Sequence, residues 1–126
     1  MPDTPFAYCV LRVVPDVERA EFITAGVVLF ARQAGFLAAQ VALDRARLAA
    51  LAPGCDFEPV ARHLEALERV AAGDPDGGPI AAMEPAERFN RIAAPSSTVV
   101  QASPVHTGVT ADPAAKLAQL FARFVA

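Results

Sequence analysis

The spacing of apolar residues divides the chain into stretches of two different periods. Residues 6–14, FAYCVLRVV, are β-branched and aromatic with one charge among them, and Pro15 ends the run, so a strand is predicted. A charged connector, PDVERAEFITA, leads to Gly26 and a second apolar run, VVLFA. RQAG then reads as a turn in which Gly35 takes positive φ, and FLAAQVAL follows as a third strand, making a hairpin with the second. All three runs are apolar on both faces, as expected of a sheet covered on both sides. Helices of the same chain can cover one side. A chain this short has few elements left for the other, which points to a second subunit or a partner there.

From Asp44 the period lengthens. Asp44 is placed to cap a short helix through Leu51, and PGC stops it. Asp56 opens a longer helix in which Phe57, Val60, Leu64, Leu67 and Ala71 share one face. Glu58 with Arg62, and Glu65 with Arg69, stand four apart in the stabilising order. GDPDGGP is a solvated loop: no lysine follows it, and its two aspartates would repel phosphate. PAERFNRIA is a short helix with Ala86, Phe89 and Ile92 inward. STVVQASPVHTG is a fourth strand and its turn, with His106 in the loop beyond it. Asp112 and Pro113 then cap and open a last helix whose stripe is Leu117, Leu120, Phe121 and Phe124. This order, three strands, three helices, one strand and one helix, predicts an α+β fold. Its antiparallel sheet has about four strands, three N-terminal and one late, packed against about four helices. No repeat or linker divides residues 1–126, so one domain is expected.

Composition narrows the function classes. Of the 126 residues 54% are hydrophobic and the mean hydropathy is +0.34, much of it alanine. No apolar stretch nears the roughly 18 residues that span a bilayer, and an acid in MPDTPFAY stands where a secretory signal carries positive charge. A cytoplasmic protein with both Cys9 and Cys55 reduced is therefore expected, without membrane contact. The net charge is −3 and no Lys/Arg block occurs, which argues against nucleic acid as a partner. Lys116 is the only lysine; the other basic residues are arginines, suited to forked contacts with carboxylates and phosphates.

Arg12 is the least expected residue of the first strand, on the same face as Tyr8 and Val10. Buried without a partner it would cost several kcal/mol, on the order given for an unpaired interior charge. A clamp to Glu18 or Glu21 is the favoured reading; display of the guanidinium to an anionic ligand is the other. His106 beside Ser97, Thr98, Ser103 and Asp112 has the residue types of acid–base or nucleophilic catalysis, without an elbow motif. Gln101 interrupts an apolar run, so its amide either satisfies a loop backbone or faces a partner. Two histidines and two unpaired cysteines do not supply a metal site, and no cofactor motif is present.

LRVVPDVERAEFITAGVVLF (11–30), RFNRIAAPSSTVVQASPVHTG (88–108) and the Leu/Phe-rich tail together resemble the domain of unknown function 3037 family of bacterial proteins. The resemblance covers nearly the whole chain. It places the family signature on Arg12, Pro15, Glu21, Gly26, Ser97, Thr98, Gln101, Ser103, His106 and Gly108. Thr24 and Ser96 stand where the family pattern has asparagine and arginine, so this chain lacks one cation beside the late strand. The resemblance carries no assigned activity; it implies an accessory role beside a HipA-like kinase. Two readings follow. One is a non-enzymatic interaction module, self-associating as a homodimer or docking on such a partner. The other is a small enzyme or anionic-ligand binder with Arg12, Glu21, Ser103 and His106 on one rim, where the connector 16–25 meets the loop 103–108.

Overall fold

The structure is a computed structural model that describes residues 3–126. The α+β expectation holds, with five antiparallel strands: β1 (Thr4–Val13), β2 (Ile23–Ala31), β3 (Phe36–Val41), β4 (Val100–Ala102) and β5 (His106–Thr110). The helices are α1 (Arg45–Leu51), α2 (Phe57–Ala72), α3 (Pro85–Ala93) and α4 (Pro113–Phe124), with single helical turns between β2 and β3 and between α2 and α3. The sheet order is β3-β2-β1-β4, and β5 also pairs with β1. The late strand foreseen as one is thus two. β4 lies against Leu11–Val13 and β5 against Thr4–Tyr8, on the same side of β1. His106 is consequently a strand residue and not a loop residue.

β1 is the centre of the molecule because its side chains build both cores. Cys9, Leu11 and Val13 pack with Leu64, Phe89 and Ile92 under α2 and α3. Phe6, Tyr8 and Val10 pack with Val27, Leu29, Leu117 and Leu120 under α4. The two-sided apolar strands are therefore covered on both faces by the chain's own helices, which removes the reason for expecting a second subunit there. In β2 the register slips by one residue: Leu11 faces Gly26 but Arg12 faces Thr24, leaving Ala25 as a bulge. The bulge turns Ala25 toward the α2 side with Val28, and puts Thr24 on the α4 side beside Arg12.

Local signals set the helix ends. Asp44 and Asp112 accept hydrogen bonds from the backbone N–H of Arg47 and Ala115, 3.0 and 3.1 Å away. The expected Glu58–Arg62 and Glu65–Arg69 pairs do not form; Glu58 meets Arg45 of α1 instead, at 3.3 Å. The far end of α2 is closed by a residue that the sequence pattern did not single out. Arg88 donates to the carbonyls of Val70 and Ala71 and, through Nε, to that of Met83, at 3.0, 2.9 and 3.0 Å. A cation at a helix C-terminus also opposes the negative end of the dipole.

Arg88→Ala is expected to destabilise the fold by about 2–3 kcal/mol in urea titration, since three carbonyls lose a charged donor. Arg88→Lys should recover less than half, because one ammonium cannot copy the fork. Burial raises the Cys9 thiol from 9.0 to about 11. The stability this represents is complete below the unfolded value and is lost as pH rises through the folded one. At pH 8 a thiol reagent is expected to modify the half-exposed Cys55 in the folded protein, and Cys9 only after denaturation.

Candidate functional site

Two rows of side chains cross the α4 face of the sheet. One is Leu29–Tyr8–His106, the other Thr24–Arg12–Gln101. Four residues of β1, about 13 Å at strand rise, separate Tyr8 from Arg12. The first row is aromatic: the Tyr8 ring lies 5.3 Å from the exposed His106 ring and 6.3 Å from that of Phe124.

The second row holds Arg12, and neither glutamate clamps it. Glu21 pairs with Arg19 at 2.6 Å, which raises the Arg19 pKa, chiefly through the hydrogen bond to Glu21. Glu18 makes no ion pair with Arg12. The Arg12 guanidinium instead lies 4.3 Å from the centre of the Phe22 ring, and its buried Nε has no hydrogen-bond partner among the described residues. The connector brings Phe22 there. Asp16 accepts from the backbone N–H of Glu18 at 3.1 Å, and the chain turns back through Ala20 at φ 60. A left-handed residue bearing a Cβ costs on the order of 1–2 kcal/mol.

Phe22 also borders an open cleft of about 580 Å³ with Ile23, Thr24, Arg47, Leu51 and Phe124. Phe124 was expected in the buried stripe of α4 but is 37% exposed, and Phe22 is 46% exposed. Each ring carries an arginine, Arg12 on Phe22 and Arg123 on Phe124, the latter 5.4 Å from the ring centre. Among the described residues neither arginine has a carboxylate within ion-pair distance, while Arg47 is held by Asp44 at 3.8 Å and donates to the Val125 carbonyl. Sequence spacing could not reveal this cleft, because it joins a loop, a bulged strand and the ends of two helices.

Three of the signature residues, Ser103, Gln101 and Thr98, have backbone work. Ser103 is 3% exposed; its hydroxyl accepts from the Val10 N–H and donates to the Pro104 carbonyl, both at 2.9 Å. It stands in for a strand residue at the break between β4 and β5. The Gln101 amide donates to the Thr98 carbonyl at 2.9 Å, satisfying the loop backbone. Thr98 bonds Ser96 and the Val100 carbonyl, both at 2.8 Å. Residues 103–108 run back along Val10 to Phe6, away from the connector 16–25, while the Val14 N–H at the end of β1 donates to the Val99 carbonyl. Arg12, Glu21, Ser103 and His106 make no hydrogen bond or ion pair with one another among the described residues. No group of three or more potential metal ligands occurs there either.

Ser103→Ala is expected to cost about 1–3 kcal/mol in thermal or urea unfolding, because the Val10 N–H loses its acceptor in a buried place. His106→Ala should change stability by no more than about 0.5 kcal/mol, as for an exposed side chain away from such features.

The family described as protein of unknown function (DUF3037) matches residues 8–125. No curated protein and no solved structure matches the chain. With nearly its whole length covered, the chain belongs to the DUF3037 family.

Proposed function

We propose that this chain is a non-enzymatic docking module whose binding surface is the cleft between Phe22 and Phe124. The observation that supports it is one opening lined by two exposed aromatic rings, each carrying an arginine that lacks an acidic partner among the described residues, in a chain of net charge −3. Phenylalanine and arginine are enriched at protein interfaces, and arginine especially among the few residues that dominate binding energy. An arginine stacked on a ring keeps its donors directed outward for a carboxylate. The chemistry that fits is a partner segment with apolar side chains next to aspartate or glutamate. The accessory role implied by the family resemblance makes a HipA-like kinase the partner to examine.

Calorimetric titration of the purified chain with that kinase is expected to give a saturable complex. Phe22→Ala and Arg12→Ala should each weaken it at least about tenfold, equivalent to roughly 1.4 kcal/mol. His106→Ala should leave it unchanged. Absence of binding at about 50 µM, or equal affinity of all the variants, overturns the proposal.

A further inference from the structure

A small cavity lies on the α2 side of the sheet, where α2, α3 and the loop between α3 and β4 meet over β4. Its volume is about 130 Å³, well below the roughly 300–1,000 Å³ of pockets that enclose drug-sized ligands, so it has room for one small group. Leu67 and Ile92 contribute to its apolar wall. Its polar wall comes from three places in the sequence: His63 of α2, Arg91 of α3, and Ser96 and Thr98 of the loop. No aspartate or glutamate lines it.

The hydrogen bonds separate the spent polar groups from the unspent. The Thr98 hydroxyl donates to the Val100 carbonyl at 2.8 Å. The Ser96 hydroxyl is therefore the donor in its 2.8 Å contact with Thr98 Oγ1, and it accepts from the Thr98 N–H at 3.1 Å. Both hydroxyls are thus committed within the loop. The Arg91 guanidinium, the His63 ring N–H and the Ser96 backbone N–H have no acceptor among the described residues. Glu87 stands one turn before Arg91 on α3, in the order that favours an ion pair, and none forms. In the last turn of α3 Arg91 opposes the helix dipole, which uses its charge but none of its N–H groups.

Donors from three elements, two of them on side chains able to carry positive charge, therefore line one small cavity that no acid enters. We propose that this cavity binds a phosphoryl group, as free phosphate or as a small phosphate ester. The Arg91 fork is matched to two oxygens of such a group. A carboxylate would be filled by that fork alone, whereas a tetrahedral anion has further oxygens for His63 and for the Ser96 N–H. The bonds within the loop hold that N–H before a ligand arrives, which lowers the cost of binding. Arg91 and His63 are both exposed, so the ligand enters directly from water and the attraction is screened by salt. The site is separate from the docking cleft, which lies on the α4 side of the sheet and shares no lining residue with it.

Titration of the ¹⁵N-labelled chain with inorganic phosphate, at ionic strength held constant with chloride, tests the proposal. Saturable shifts of the Ser96 and Thr98 amides are expected, with a Kd of about 1 mM. Arg91→Ala should weaken binding at least about tenfold and His63→Ala by about threefold, as losses of charged and neutral donors respectively. Phe22→Ala should leave it unchanged, which keeps this site distinguishable from the docking cleft. Glycerol phosphate is the second ligand: tighter binding than inorganic phosphate identifies an ester as the natural ligand, and the reverse order free phosphate. Three results overturn the proposal: no saturable shift by about 20 mM of either ligand, equal affinity of the Arg91→Ala chain, or acetate binding as tightly as phosphate.

Discussion

The fold depends on β1 being buried on both faces and bonded on both sides. One ten-residue strand supplies apolar side chains to the α2–α3 core and to the α4 core, and pairs with three other strands. Burial of this kind stabilises at about 25 cal/mol per Å² of apolar surface removed from water, so the strand cannot be left open on either side. α4, arriving last in the chain, is what closes the second face. The molecule solves within one chain the problem that two-sided apolar strands pose, and its remaining unfilled contacts lie at the margins of the sheet.

Those margins are where the ordinary rules are broken. Arg12 continues the α4-side row of Phe6, Tyr8 and Val10 into the region beyond the last turn of α4. The bulge at Ala25 then gives it a threonine as cross-strand neighbour, and the connector gives it an aromatic ring instead of a carboxylate. A stacked arginine is worth about 0.5–2 kcal/mol. That does not repay a buried Nε without a hydrogen bond, itself a cost of roughly 1–3 kcal/mol. Local strain at Ala20 adds to the cost. Structures keep such features where the surrounding fold imposes them, and they cluster at sites of recognition.

What was legible in the sequence was what is decided locally. Asp44, Asp112 and Pro113 fix helix starts through bonds to residues three away, so α1 and α4 begin where their caps place them. Gly35, at φ 63, turns the β2–β3 hairpin as its flanking runs imply. The division of the late strand was not legible, because it rests on a bond between Ser103 and Val10, 93 positions apart. The partner of Arg12 was misread for a related reason: the connector glutamate is consumed by Arg19 two residues away, a short-range pairing that wins over the longer reach. Phe124 was assigned to the core because helical period alone cannot say where the covered face ends.

The signature residues acquire a physical division of labour from this arrangement. Ser103, Gln101 and Thr98 spend their polar groups on backbone at and beside β4, which holds the outer strands against β1 without a continuous ladder. Gly108 keeps β5 close beneath Phe6. Arg12 alone of the group retains unspent hydrogen-bonding capacity in a place shielded from water. What the fold sets against its charge is the face of the Phe22 ring, 4.3 Å away, in place of a carboxylate.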